Sequence, residues 1–218
     1  MYFQNREQAG QLLAAKLYDQ YRYENCAVVA LSDGGVLVGE QIAAALHCVL
    51  TLLLIEDIQV PGEGVGFGGV SQDGNFTYNS TFSSGEIEEY MAEFHGYLEE
   101  QKREAFQKIN RLIGDGGVIA NELLRNRTVI LVDDGLYNSV DIDVAINFLK
   151  PICIQKLVIA TPIASVSAID KLHVSADELH ILDVRENFIE VDHYYTENNI
   201  PSHEETIAKI NQIILNWR

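Results

Sequence analysis

The chain has 218 residues, 47% of them hydrophobic, and its 15 Lys and Arg face 32 Asp and Glu for a formal charge of −17. That length suits one large α/β domain, or one domain with a small appendage, better than two independent domains. The acid excess repels nucleic acid and anionic membrane surfaces, and no run reaches the roughly 18 apolar residues of a membrane span, so neither partner is expected.

In chain order, Ala9, Leu12, Leu13, Leu17 and Tyr21 fall at helical spacing, which predicts a first helix over Arg6–Tyr21 with Asn5 as its cap. Residues 27–31 form an apolar run of the kind covered on both faces in a parallel sheet. A helix follows over 38–46 and a second apolar strand over 49–55. Residues 60–83 are rich in glycine and suit a hairpin or flexible flap inserted between sheet strands. Residues 84–113 carry Ile87, Met91, Phe94, Leu98, Ala105, Phe106, Ile109 and Leu112 near a 3.6 period, the longest predicted helix. Ser83 with Glu86 resembles a capping box at its start. Strands over 129–132 and 157–161, and a shorter one over 179–182, then alternate with helices over 139–149, 165–172 and 202–217. This alternation predicts a doubly wound parallel sheet of about five strands with an inserted glycine-rich flap or hood. The chain is read as one domain over 1–218, with 60–115 as a flap and long-helix insertion.

Two places where a strand runs into a helix carry the chemistry, since ligands of open α/β sheets sit at the carboxyl edge. The first is Ser32-Asp33-Gly34-Gly35, whose paired glycines let a backbone approach a ligand or merely make a turn. The second is Asp133-Asp134-Gly135, where adjacent carboxylates can accept from a ribose diol or hold a divalent metal; the bland alternative makes Asp134 a turn former. Glu56 and Asp57 read as a solvated strand end. Cys26, Cys48 and Cys153 lack Cys-x-x-Cys spacing and read as small buried hydrophobes. His173, His180, His193 and His203 lack tight metal spacing. No nucleophile elbow, Walker loop or dinucleotide fingerprint is present in the sequence. Arg6 and Glu7 stand near the start without an apolar signal core, so a cytoplasmic location is expected.

The stretch from Thr128 through Val132-Asp133-Asp134-Gly135-Leu136 to Asp141, with Asn5-Arg6-Glu7-Gln8-Ala9-Gly10 and the tail over 201–214, resembles a bacterial family of type I phosphoribosyltransferases along nearly the whole chain. The resemblance implies a five-stranded parallel sheet with a hood. It also implies transfer of ribosyl phosphate from phosphoribosyl pyrophosphate to a nitrogen acceptor, a glycosyltransferase reaction of nucleotide metabolism. A magnesium ion, a small ribose-phosphate or nucleotide-like ligand and a homodimer come with that expectation. Matched position by position, Gly34 and Gly35 keep the pyrophosphate loop, while Asp133, Asp134 and Gly135 keep the ribose end, with Asp133 and Asp134 as the metal candidates. The 5′-phosphate loop falls on Tyr137, Asn138, Ser139, Val140 and Asp141.

The departures share a direction. Asp33 stands where the family has an arginine, Glu56 and Asp57 where it has a basic pair, and Val140 and Asp141 where its loop surrounds the phosphate. Two like charges about 5 Å apart repel by roughly 3 kcal/mol at an effective dielectric near 20, so several such contacts oppose a polyphosphate strongly. The pattern favours a pseudoenzyme with a binding or regulatory role. An active metal-dependent transferase is the second reading, and metal-dependent hydrolysis of a sugar phosphate at a convergence of Asp33, Glu56, Asp57, Asp133 and Asp134 is the third.

Overall fold

The computed structural model describes residues 2–114, 119, 121–137 and 140–216. Helices α1 (Arg6–Tyr21), α2 (Asp33–Leu46), α3 (Ser84–Gly114), α4 (Val140–Leu149), α5 (Val166–Ser175) and α6 (His203–Asn216) accompany eight strands among those residues. The strands are β1 (Cys26–Ala30), β2 (Val49–Leu52), β3 (Ile55–Gln59), β4 (Gly66–Ser71), β5 (Phe76–Tyr78), β6 (Thr128–Val132), β7 (Lys156–Ser165) and β8 (Glu178–Arg185). They group into two compact units, one over 1–53, 117–138 and 152–218 and the other over 54–116 and 139–151.

The first unit holds a five-stranded sheet in the order β2-β1-β6-β7-β8, every neighbouring pair parallel, as the apolar runs predict. β1 and β6 are buried along their whole length, because Cys26 to Ala30 and Thr128 to Val132 offer apolar or satisfied side chains to both faces. α1 begins as expected, with Asn5 Oδ1 accepting from the Gln8 N–H at 2.9 Å, and it buries Ala9, Leu13, Leu17 and Tyr21 at helical spacing. α2 starts five residues earlier than its apolar pattern suggests. Ser32 caps it by accepting from Gly35 N–H at 2.8 Å, so Asp33, Gly34 and Gly35 form a first helical turn rather than a free loop. Of the cysteines, Cys26 and Cys48 are buried, but Cys153 is exposed, a correction to the expectation for all three.

The second unit is built on a three-stranded antiparallel sheet, β3-β4-β5, with α3 and α4. The predicted strand over 49–55 ends at Leu52, and Ile55 opens β3 in this separate sheet, because the polar side chains from Glu56 onward do not continue an all-buried strand. Much of the glycine content serves packing. A Cβ on Gly69 would lie 2.9 Å from Val144 Cγ2 and one on Gly66 3.1 Å from Val140 Cγ2, so β4 lets α4 settle directly on it. The capping box is present, with Ser83 N–H donating to Glu86 Oε2 at 2.8 Å and Glu86 N–H donating to Ser83 Oγ at 3.3 Å. α3 bends at Phe94, whose φ of −113° and ψ of 19° leave the helical region.

Candidate functional site at the carboxyl edge

β6 ends at Val132, and the chain leaves the sheet for three residues before rejoining β7. Leu136 N–H donates to Ile163 O at 2.9 Å, and Ser165 N–H donates to Leu136 O at 2.9 Å. Asp133, Asp134 and Gly135 are thereby held as a short bulge at the carboxyl edge of the sheet. A Cβ on Gly135 would sit 3.0 Å from Val191 Cγ2 and 3.2 Å from Ile163 Cγ2, so a larger residue there would have to push these side chains aside.

Both carboxylates of the bulge are engaged within the protein. Asp133 Oδ1 accepts from Ser32 Oγ at 2.5 Å and from the Asp134 N–H at 3.0 Å, and the residue is 7% exposed. Asp134, 6% exposed, accepts from Arg6 Nε at 2.5 Å and from Ser32 Oγ at 3.2 Å, and its backbone carbonyl accepts from the Tyr195 hydroxyl at 2.6 Å. Arg6 is the centre of this arrangement. It is 1% exposed, donates through Nη2 to Asp192 Oδ1 at 2.5 Å and through Nη1 to Asn198 Oδ1 at 3.0 Å, and lies 4.5 Å from the Tyr195 ring centre. Burial alone lowers the guanidinium pKa, but the charges of Asp134 and Asp192 and the hydrogen bonds to them outweigh it and raise it, so Arg6 stays charged. Burial, with Asp134 next in effect, pushes the Tyr195 hydroxyl well above its usual range, keeping it a donor.

The retained glycines have an internal reason as well. A Cβ on Gly34 would fall 2.2 Å from Asp134 Oδ2 and 2.9 Å from Arg6 Nε, while one on Gly35 would fall 3.0 Å from Val132 O. Asp33 is partly exposed and accepts from or pairs with His203 Nδ1 at 3.2 Å. A cleft of about 480 Å³ opens here, lined by Arg6, Ser32, Asp33, Gly34, Asp134, Glu190, Val191, Asp192 and Ile200. Its charged lining is four carboxylates and one buried guanidinium, a poor setting for an anion. Tyr137 follows the bulge and is 57% exposed, its ring 5.7 Å from that of Phe188.

The remaining predicted positions divide between the units. Val140 and Asp141 belong to the first turn of α4 in the second unit, with Glu56 and Asp57 on β3. Asp57 is exposed, as the reading of a solvated strand end expects, while Glu56 is half-buried and pairs with Lys108 at 2.7 Å. Asn138 and Ser139 lie outside the described residues. Among the described residues, no group of three or more His, Cys, Asp or Glu side chains gathers as a cation cage. Asp134 is moreover already balanced by Arg6, so the donor set at the bulge does not fit a hard cation held by the protein alone.

The profile of the phosphoribosyl transferase domain matches residues 2–196, which is most of the chain. The chain belongs to this family. Two curated Mycobacterium tuberculosis relatives, Rv0571c and MT0597, provisionally named as phosphoribosyl transferases, are 26% identical over 212 residues, 94% of this chain. The alignment covers 46% of each of those proteins, so the chain spans about half the length of the curated relatives it matches. Among solved structures, TT1426 from Thermus thermophilus superposes with a TM-score of 0.73 at 25% identity, over 100% of this chain and 99% of that one. The AQ2163 protein from Aquifex aeolicus shares the fold at 11% identity and a TM-score of 0.52, covering 93% and 84% of the two chains.

Within this phosphoribosyl transferase domain, Arg6 is the residue that sequence reading passed over. It stands at the first turn of an ordinary amphipathic helix, and its partners lie 128, 186 and 192 residues away. The one local hint is its burial-facing place, three residues before Ala9 and seven before Leu13 on the same helical face.

Proposed function

We propose that this phosphoribosyl transferase domain has given up ordinary use of phosphoribosyl pyrophosphate and serves as a binding or regulatory subunit for a small nucleotide-like ligand. The observation that carries this reading is the buried ion pair from Arg6 to Asp134 and Asp192. It occupies the carboxylate that would meet a ribose diol, and it accounts for Gly34 by packing alone. Asp33, Glu190 and Asp192 leave the cleft acidic where a diphosphate would need cations. Asp133 and the exposed ring of Tyr137, next to Phe188, are the groups through which a sugar and a planar base are recognised in this reading.

Calorimetry with phosphoribosyl pyrophosphate and magnesium tests it. The expected result is no binding at micromolar concentration; tight binding followed by turnover would overturn the reading. As a gain-of-function arm, Asp33→Arg is expected to raise pyrophosphate affinity, and no gain would mean that this position does not face the ligand. The second reading, an active transferase, is favoured by the intact Asp-Asp-Gly bulge. Magnesium would then enter with the donor's phosphates, for which one or two carboxylates suffice.

A further inference from the structure

Arg6 divides its hydrogen bonds between two kinds of partner. Its Nε donates to Asp134, a side chain 9% exposed, whereas the outer edge of the guanidinium faces water-accessible groups. On that edge Nη1 donates to Asn198 Oδ1 at 3.0 Å and Nη2 to Asp192 Oδ1 at 2.5 Å, and the Asp192 side chain is 53% exposed. An Nη1–Nη2 edge is one that takes a carboxylate or a phosphate through two N–H bonds at once. Asp192 and Asn198 fill it together, each with one oxygen. Arg6 is also the one cation among the described residues lining the cleft of about 480 Å³, and it lines a second cleft of about 200 Å³ with Asn5, Leu37 and Asn199.

The backbone that carries Asp192 is fixed, but its side chain is not. Phe3 N–H donates to Tyr194 O at 2.9 Å and Thr196 N–H donates to Phe3 O at 3.0 Å, so the segment is zipped to the start of the chain. Tyr194 and Tyr195 are buried, and Asn198 Nδ2 donates to Asp192 O at 3.0 Å and to Tyr195 O at 3.2 Å. The Asp192 carboxylate itself is held by Arg6 alone among the described residues. Solvent screens that contact, and a rotamer change of one exposed side chain frees Nη2 without moving the main chain.

We propose that the outer edge of Arg6 is the group that recognises the phosphate end of the cleft's nucleotide-like ligand, and that the Asp192 carboxylate is an internal substitute for that anion, displaced when the ligand enters. This rests on the proposed ligand-binding role and adds to it a point of attachment. Arg6 keeps Asp134 on Nε throughout, so the exchange replaces one anion on the guanidinium by another and leaves its buried charge balanced. An internal occupant weakens every outside anion by the fraction of molecules in which the edge is free. If that is about one molecule in ten, the apparent affinity falls about tenfold. The acidic lining and the buried cation of the cleft then belong to one device, since Asp192 supplies part of the first and holds the second.

Calorimetry of the full chain with inorganic pyrophosphate and with adenosine diphosphate tests this. Asp192→Ala is expected to bind both about tenfold more tightly than the wild type. Glu190→Ala removes an acid of the same cleft that makes no bond to Arg6 among the described residues, and is expected to gain less than about threefold. Equal gains in the two variants would overturn the inference, because general relief of negative charge would then suffice. No gain in Asp192→Ala would overturn it too, and a gain for pyrophosphate without one for the nucleotide would overturn the assignment of the ligand. Asp192→Asn keeps a neutral acceptor on Nη2 and is expected to gain an intermediate amount, which preserves the test if Asp192→Ala folds poorly. In the binding variant the guanidinium N–H resonances of Arg6 are expected to shift on titration; binding that leaves them unmoved would place the anion elsewhere. Tight binding of phosphoribosyl pyrophosphate with turnover in the wild type would sink the ligand-binding role itself, whereas a silent wild type with no gain in Asp192→Ala sinks only the attachment at Arg6.

Discussion

The two units each hold carboxyl groups at positions where the family resemblance leads one to expect ligand contacts, and their surroundings differ. In the first unit, Asp134 is met by a guanidinium, a group that stays charged at any pH a protein survives. In the second, burial first and then the like charge of Asp57 raise the Asp141 carboxyl well above its usual range. The first arrangement is therefore permanent and indifferent to pH near neutrality, while the second is conditional. An acidic side chain in a candidate ligand site does not have a single structural meaning; what it does depends on whether a cation or another acid stands near it.

The largest expected effect tests the permanent half of that comparison. Arg6→Met removes a cation that is almost fully buried and leaves Asp134 without its partner, which is expected to cost about 3–5 kcal/mol in urea unfolding. Arg6→Met with Asp134→Asn should recover much of that loss, since the uncompensated charge is gone. A double variant as unstable as Arg6→Met would mean that packing of the Arg6 stem on Tyr195, and not charge balance, holds the site. Next in size is Gly34→Ala. Its new methyl would fall 2.2 Å from Asp134 Oδ2, and shifting that carboxylate or its backbone is expected to cost about 1–3 kcal/mol. If the substitution were neutral, the glycine would be free of the ion pair and its retention would again point to a ligand.

Much of the fold could be read in the sequence because it is written locally. The Asn5 cap, the capping box at Ser83 and the all-apolar runs of β1 and β6 are each decided within a few residues. α2 was harder, since Gly34 and Gly35 are poor helix formers; its true start depends on Ser32, which is both helix cap and donor to Asp133. The second unit was harder again. The glycines of β4 look like a flap in the sequence, and only the valines of α4 lying over them show that they are a packing surface. The site was half legible: Asp133, Asp134, Gly34 and Gly35 do meet at one edge. What no local pattern shows is which distant polar group will answer a buried charge. Arg6 could be found only through its contacts.

The smallest effect is the sharpest test of where the ion-pair network ends. Asp192 accepts from Arg6 at 2.5 Å, the same distance as Asp134, yet its side chain is 53% exposed against 9% for Asp134. Distance alone would rank the two contacts equally, whereas solvent screening ranks them far apart. Asp192→Asn keeps an acceptor for the guanidinium and removes only a well-hydrated charge, so it should cost less than about 1 kcal/mol and lose even that at high salt. Asp134→Asn, by contrast, should cost several times as much at any ionic strength, because Arg6 is then left buried beside a single half-solvated partner. Comparable losses for the two variants would show that the carboxylates act as one unit, and the boundary between buried balance and surface contact would have to be redrawn to include the turn that carries Asp192.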